Sequence, residues 1–512
     1  MNGSARRVGR AAVPQRPACV RGDVRVNVLL LRPPLQFRRG WDVNAHAEVP
    51  QALLSIGAVL ERAGHQVRLF DGNVRREPAD LVFDADGVLH VGATWDELAR
   101  AVRAAAPDVV GINSPFYTQM PPALEAARLV RRLLPEVPIV VGGAPVTVRP
   151  QDYLAEPAVT VAAIGESEET APKLLAGLEQ GGDLSAVPGI AWRRGGEVVV
   201  NPRGGFIEDL DALPPPAYHL VDLGAYLRTA GKDAAGRWRW ADRRILEVLT
   251  SRGCPFRCTF CTVHALMGRT YRWQSAERVL EHIRFIATEL GIRHLHFIDD
   301  NLAQNAPRFL AIIGGLADMK RSGTSIAWET PMGMRTDRLT LEVLAQARDA
   351  GCRSIFLTVE SGSQRVLDEV IRKKLRLETV VRAAEACNRL GLKARAGFIM
   401  GLPGETLDDM QMTVDFARML KRRYGVRGHL SIATPLYATE LYETCLARGY
   451  LRQEVTPDNV ARSFTQGGMI ETEDWTVEQL RAMRDAFNRQ TGWLRGAVRR
   501  LRDRLRGARA DG

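Results

Sequence analysis

The sequence predicts an α/β chain in three parts: a doubly wound, Rossmann-like parallel sheet, a partial (β/α)6 barrel of the TIM type, and a C-terminal helical segment. Three observations carry this reading. Short apolar strand runs alternate with helical runs from Val26 to about Gly181, a second series of six such repeats begins at Ile245, and the residues from 451 onward read as helix alone. Alternation of this kind argues for parallel sheets covered by helices. Six repeats are too few to close an eight-stranded barrel, so the second sheet is expected to stay open.

The chain opens with MNGSARRVGRAAVPQRPACVRG, rich in arginine and poor in acids, which reads as a disordered basic leader over 1–24. The first series, over 25–190, runs VNVLLLRPP, QALLSIGAVLERAG, HQVRLFDG, DELARAVRAAAP, DVVGINSP, ALEAARLVRRLLP, IVVGGAP, VTVAAIGES and ETAPKLLAGLEQG. Its strand runs end in Pro, Gly, Ser or Asp, at the edge where open parallel sheets take ligands. IAWRR and EVVVN around Gly195-Gly196 predict a hairpin and LPPPAYHL a connector, so 191–240 is expected to be hairpin and linker. The second series, over 241–450, runs ILEVLTSRG, HLHFIDDNL, SIAWETPMGMR, SIFLTVESGS, ARAGFIMGLPG and HLSIATPLY, each followed by an apolar-periodic helix such as SAERVLEHIRFIATELG. Residues 451–512, including TVEQLRAMRDAFNRQ, are expected to be helical and to cover an end of the barrel.

With 512 residues, 46% of them apolar, the chain exceeds one core and can bury two or three. No apolar run approaches the roughly 18 to 20 residues that span a bilayer, so no membrane span is expected. The net charge of +11 is concentrated at the two ends. Near the C-terminus Trp493, Leu494, Ala497, Val498, Leu501 and Leu505 form one apolar helical stripe opposite arginines, read as a helix docked on its own protein. The seven cysteines are odd in number and scattered, which fits a reducing cytoplasm rather than a disulfide framework.

In TSRGCPFRCTFCTVH, Cys254, Cys258 and Cys261 follow the first strand of the second series at C-x3-C-x2-C spacing, so one tight loop aims several thiolates at a common point. Soft thiolates select zinc or iron-sulfur clusters. A fully ligated cluster takes four thiolates, and no fourth cysteine is near, which would leave one iron open. A Cys3His zinc site completed by His264 is the competing reading. Cys352, Cys387 and Cys445 are solitary and read as small core residues.

GCPFRCTFC resembles the C-x3-C-x-aromatic-C signature of radical S-adenosylmethionine enzymes. The resemblance implies that the three cysteines hold a [4Fe-4S] cluster, that its unique iron chelates the amino and carboxylate groups of S-adenosylmethionine, and that Phe260 lies beside the adenine. FIDDNL is similar to the segment that contacts the methionyl amino group, implicating Asp299 or Asp300, although the commoner glycine-glycine-glutamate form is absent. VESGS places Glu360 and Ser361 where the family contacts the ribose. GFIMGLPGE resembles the stretch that approaches the adenine through backbone, implicating Gly397, Ile399 and Gly401. Taken singly, acidic pairs at strand ends cap helices and glycines make turns; their occurrence at successive strand ends favours a site.

The doubly wound domain ahead of this barrel resembles the cobalamin-binding domain of the cobalamin-dependent radical S-adenosylmethionine class. RPPL, INSPF, VGGAP and IGESEET match its loops in kind. The resemblance implies that Ser114, Pro115, Gly142, Gly143, Gly165 and Glu166 line the corrinoid or its nucleotide tail, glycine suiting the close approach of a flat macrocycle. No D-x-H-x-x-G surrounds any of the nine histidines, so the lower cobalt face is expected to be empty, water-bound or covered by another side chain. His65 reads as a surface residue entering a strand. No P-loop or G-x-G-x-x-G opens the first helix.

Together the resemblances imply three cofactors, a [4Fe-4S] cluster, S-adenosylmethionine and cobalamin. The cluster would generate a 5'-deoxyadenosyl radical and methylcobalamin would deliver a methyl group. The expected function is a methyltransferase acting on an unactivated carbon of a specialised metabolite, with a small-molecule substrate, an electron donor such as flavodoxin or ferredoxin, and no side chain assigned as catalytic. A cobalamin-assisted cyclase or rearrangement enzyme is the alternative. A zinc-stabilised basic nucleic-acid-binding protein is a remote one, because the basic ends lack stacking aromatics apart from Trp493. Trp328, Arg335 and Tyr437 stand at strand ends as substrate-contact candidates, each equally explained by packing or scaffold.

Overall fold

The computed structural model describes residues 25–38, 48–74, 87–179, 181, 183–232, 238–242 and 244–491. The leader over 1–24 and the arginine-rich stripe from Trp493 lie outside the described residues.

The first sheet contains β1 (Asn27–Arg32), β2 (Gln66–Asp71), β3 (Val109–Asn113), β4 (Ile139–Gly142), β5 (Val161–Ala163), β6 (Ile190–Arg194) and β7 (Glu197–Asn201). Their order is β2-β1-β3-β4-β5-β6-β7. The first five pair in parallel and the last two add antiparallel. Alternation along β1 explains why both faces are covered. Leu29 and Leu31 enter one core with Leu98, Val102 and Val130 of the helices Trp95–Ala105 and Met120–Leu133. Val28 and Leu30 enter another with Leu53, Leu60 and Leu175 of the helices Gln51–Arg62 and Thr170–Glu179. The helix at Trp95 starts at a capping box in which Thr94 and Glu97 satisfy each other's backbone N–H.

The hairpin around Gly195-Gly196 forms, and it belongs to the first sheet rather than to a linker. The sheet continues to Asn201, past the expected limit at 190, because Ile190, Ala191 and Trp192 pair with β5 and are buried against it. The proline-rich connector is stitched to both halves. Ala217 N donates to Leu54 O at 3.1 Å, and Tyr218 stacks on His282 of the helix Ala276–Thr288.

The second sheet contains β8 (Leu246–Val248), β9 (His294–Phe297), β10 (Ala327–Met334), β11 (Cys352–Glu360), β12 (Lys393–Met400) and β13 (Arg427–Ile432), in sequential order and all parallel. It is an open partial barrel, as the count of repeats predicts. Ile355, Leu357 and Val359 point outward into the helix-covered core. Ser354, Phe356, Thr358 and Glu360 alternate with them on the inner face. The helix Val477–Thr491 lies along the β13 edge, where Phe487 is packed over Gly428.

Cys387 and Cys445 are buried in helices and Cys352 opens β11, so all three serve as core residues. Trp328 is fully buried, edge-on to Phe297 and Phe309, with its indole N–H on Ala350 O at 3.1 Å. Tyr437 is held by Tyr117, Tyr442 and Val455 O. Both are scaffold.

Candidate active site

The cysteine loop leaves β8 and is pinched at its neck. Ser251–Arg252 pairs antiparallel with Arg272–Trp273, so the ends of a long loop meet. Gly253 makes this crossing possible: its φ is +81°, and a Cβ there would stand 2.3 Å from Thr270 O. Between Cys258 and Cys261, Thr259 is gripped from the loop after β11, its N–H on Ile371 O and its hydroxyl on Val370 O. Leu441 N donates back to Thr259 O. Phe260 packs against the barrel core.

The three thiols are half-buried and unpaired. Burial raises each of them, Cys261 to about 12, so a metal bound here would displace a proton from each thiol it ligates. Among the described residues, the only three metal-ligating side-chain atoms that converge to within 4.8 Å belong to other residues. No three of the thiols and His264 bring their ligand atoms within 4.8 Å of one another, so the four are not gathered as on one tetrahedral zinc, where sulfurs stand about 3.8 Å apart. This donor set fits a cluster, whose thiolates bind different irons.

Charged groups frame the thiols. Asp300 acts electrostatically on Cys254 and Cys261, and partial desolvation by the surrounding chain together with the charge of Asp299 lifts its own carboxyl to about 6. Asp299 points elsewhere. Its Oδ1 accepts from Thr250 N at 3.2 Å, from Thr250 Oγ1 at 2.7 Å and from the Ser251 hydroxyl, tying down the start of the cysteine loop, while its buried Oδ2 has no partner.

Glu360, at the end of β11, has φ +76°, and its carboxylate meets buried Lys373 Nζ at 2.9 Å. Arg372 and Lys374, the neighbours of Lys373, also have positive φ. Strained non-glycine residues cluster at functional sites. Arg335 is fixed by Asp337 and by the carbonyls of Lys373 and Lys374, and lies 3.6 Å over the Phe256 ring within the cysteine motif. These contacts tie it to the cysteine loop and to the chain after β11.

Ser361 is fully buried, its hydroxyl 3.0 Å from Thr413 Oγ1 and accepting from Ser363 N, so it braces the strand end from behind. Gly397 is also buried, and the Phe356 ring occupies the place of its missing Cβ. Ile399 lies half-buried on the inner face. Gly401 turns at φ +86° and donates its N–H to Glu405 Oε2 at 2.7 Å.

A cavity of about 340 Å³ lies between the first sheet and the helices Gln51–Arg62 and Thr170–Glu179. Gly142, Gly143, Gly165 and Glu166 line it, as do Arg252, Leu266 and Met267 from the cysteine loop. Gly143 has φ +134°, and a Cβ there would fall 2.1 Å from Ser114 O; Thr147 Oγ1 accepts from Gly165 N and donates to Gly143 O, holding the two glycine turns together. Ser114 sits beneath this rim, buried against Tyr153 OH at 2.7 Å, and Pro115 is half-buried beside it; neither lines the cavity. The volume and glycine rim fit one end of a large flat ligand such as cobalamin. His65 stands at the amino end of β2, away from that edge. The described histidine that does line the cavity is His282, which burial holds down to about 4 and which is therefore neutral at pH 7.

Glu166, expected to line the corrinoid or its nucleotide tail, and Glu168 of the same loop lock the two sheets together. Glu166 accepts from Arg272 at 2.6 and 2.8 Å and from Ile207 N, and Glu168 accepts from Arg252 at 2.6 Å. Both arginines belong to the neck of the cysteine loop. These partners, together with Lys373 and Glu405, were missed from sequence because nothing local marks them.

Comparison with known proteins agrees with this geometry. Residues 45–175 match the B12 binding domain and residues 248–417 the radical SAM superfamily. An uncharacterized methyltransferase of Pyrococcus horikoshii, PH0819, is 28% identical over 427 residues, covering 83% of this chain and 84% of that protein. Cytidylyl-2-hydroxyethylphosphonate methyltransferase of Streptomyces wedmorensis is 27% identical over 494 residues, covering 90% and 89%. In fold, the chain is similar to the radical S-adenosylmethionine methyltransferase TsrM of Kitasatospora setae, solved with cobalamin and a [4Fe-4S] cluster, at TM-score 0.65 and 18% identity over 84% of this chain and 80% of that one. One chain thus joins a B12 binding domain to a radical SAM barrel through buried ion pairs, and it belongs to the cobalamin-dependent radical S-adenosylmethionine enzymes.

Proposed function

We propose that the enzyme methylates an unactivated carbon of a small molecule, using S-adenosylmethionine both for radical generation and as the methyl source for cobalamin. The observation that carries this reading is the shared cavity: Gly142, Gly143 and Gly165 of the first sheet and Arg252, Leu266 and Met267 of the cysteine loop line the same space. Two cofactor cradles side by side suit a reaction that needs both. The methyltransferase relatives, matched over most of their length, support it.

In this reading Cys254, Cys258 and Cys261 hold the cluster, and Phe260, Asp300, Glu360, Ile399 and Gly401 surround S-adenosylmethionine. Asp299, Ser361 and Gly397 support those residues from behind. Gly142, Gly143, Gly165 and Glu166 rim the cobalamin site, with Ser114 and Pro115 beneath and beside it. When bound, the cluster supplies an electron for sulfonium cleavage and cobalamin supplies methyl transfer. The chain's own residues orient and shield. Asp300 offers a carboxylate to an ammonium group, Lys373 fixes the Glu360 carboxylate, and the Arg335–Phe256 stack holds the loop bearing the thiols. Reduction is assigned to a flavodoxin- or ferredoxin-like donor in the cytoplasm, where scattered cysteines stay reduced. Among the described residues no helix is long and apolar enough to cross a membrane.

Protein reconstituted anaerobically with iron, sulfide and cobalamin, given a reductant and extracts of candidate metabolites, should form 5'-deoxyadenosine and S-adenosylhomocysteine together. Cys258→Ala should form neither. 5'-Deoxyadenosine without S-adenosylhomocysteine would move the assignment to a cyclase. The anaerobic magnesium-protoporphyrin IX monomethyl ester cyclase of Synechocystis keeps that alternative open, being 30% identical over 282 residues, 55% of this chain and 50% of that protein.

A further inference from the structure

The inner face of the partial barrel carries a second cluster of metal-ligating side chains that the reaction above does not use. His294 and His296 lie two residues apart on β9, so both imidazoles project from the same face. Glu329 on β10 is in direct register with His296, and Ser354 on β11 is in register with Glu329. The three ligand atoms of His294, His296 and Glu329 all lie within 4.8 Å of one another. All three residues are half-buried.

The detailed geometry also suits a coordination sphere. His294 Nε2 stands 3.3 Å from Glu329 Oε1, a polar contact that a shared ion would replace. Two ligands each 2.0–2.1 Å from one tetrahedral ion stand about 3.3 Å apart. The two imidazole rings are nearly perpendicular, at 86° with centroids 5.8 Å apart, as rings converging on a point from different directions would be. The carboxylate is already oriented, because Ser354 Oγ donates to Glu329 Oε2 at 2.7 Å and leaves Oε1 turned toward His294. A hydrogen-bonded outer partner of this kind is what aims a ligating carboxylate.

We propose that His294, His296 and Glu329 bind one divalent transition-metal ion of the zinc class, at a site separate from the cysteine loop, with Ser354 as the residue that positions the carboxylate. Two imidazoles and a carboxylate on rigid strands form a three-ligand site that keeps a position open to water. The ion would clamp β9 to β10 at the amino ends of those strands, below the residues assigned to S-adenosylmethionine.

The test uses full-length protein already loaded with its cluster and cobalamin, given one equivalent of zinc and desalted. Elemental analysis should return about one zinc per chain, and zinc-edge X-ray absorption should show only nitrogen and oxygen neighbours at 2.0–2.1 Å. Glu329→Gln, close in shape and expected to fold, should lose the zinc while keeping its iron and cobalamin, as should His294→Ala. Ser354→Ala should weaken zinc binding by roughly 10- to 100-fold. The wild-type melting temperature should rise with zinc and that of Glu329→Gln should not. Sulfur neighbours at 2.3 Å would place the zinc in the cysteine loop and overturn the proposal. So would zinc retained equally by wild type and both ligand variants, or no zinc retained by wild type.

Discussion

Glu166 closes on Arg272 through hydrogen bonds of 2.6 and 2.8 Å, with both side chains nearly excluded from solvent at 4% and 5% exposure. The pair joins the loop after β5 to the neck of the cysteine loop, and Arg252 reaches the same carboxylate at 3.6 Å. Such a latch fixes the position of the thiols relative to the glycine rim of the first sheet. Several consequences are measurable.

Arg272→Met should leave the buried Glu166 carboxylate with only Ile207 N and the more distant Arg252, and should cost less than the about 3–5 kcal/mol of a wholly unpaired buried charge. Adding Glu166→Gln should recover part of that loss, because the second change removes a buried charge left with only a distant partner. Guanidinium unfolding of the two singles and the double gives the coupling energy, and additive effects would mean that the pair does not act as a unit.

Asp299 and Asp300 should separate by phenotype. Asp299→Asn disturbs a carboxylate oxygen accepting three hydrogen bonds and should destabilise the fold by about 1–3 kcal/mol. Asp300→Asn should melt like wild type and bind S-adenosylmethionine at least about tenfold more weakly, through loss of a charge-assisted contact. Equilibrium dialysis on cluster-loaded protein, set beside thermal melts, decides between them; the opposite pattern would reverse the assignment.

Gly143→Ala should be poorly tolerated, since φ +134° is unfavourable for alanine and its Cβ would meet Ser114 O at 2.1 Å. Backbone strain of this kind costs roughly 1–3 kcal/mol. Because the turn rims the cavity, cobalamin retained after gel filtration, read from the visible spectrum, should fall as well. Full retention would show that the rim can shift without affecting the ligand.

Glu405 is fully buried, and that burial lifts its carboxyl to about 8, against about 4.3 in an unfolded chain. The folded state therefore holds the extra proton between those values. Its stabilising effect is complete below the lower value and is lost as pH rises through about 8, at about 1.4 kcal/mol per pH unit. Wild type should lose more stability between pH 6 and 8 than Glu405→Gln, which keeps the oxygen that accepts from Gly401 N. Parallel pH dependences would assign the proton elsewhere.

Much of the frame was legible from residue order. Strand runs such as VNVLLL and SIFLTVE bury one side chain in two or all of them, and loops rich in glycine and proline separate them, so the two series and the open barrel follow. The cysteine spacing announces a soft metal. What could not be read was the identity of the partners. Asp299 and Asp300 are equivalent in sequence, yet the chain past the end of β9 turns one onto Thr250 and leaves the other near the thiols. Gly143 reads as a place of close ligand approach, and the nearest demand on it comes from the chain itself, at Ser114 O. The hairpin at Gly195-Gly196 reads as a linker because its pairing with β5 is non-local.

By itself the sequence determined the order of elements, the ligand loop and the glycine turns, since each depends on periodicity or on the conformational range of one residue. Only the tertiary structure decided that Glu166 meets Arg272, that Lys373 meets Glu360, and that His294, His296 and Glu329 converge. Those contacts depend on strand register and on the packing of one sheet against another, and neither leaves a local trace in the chain.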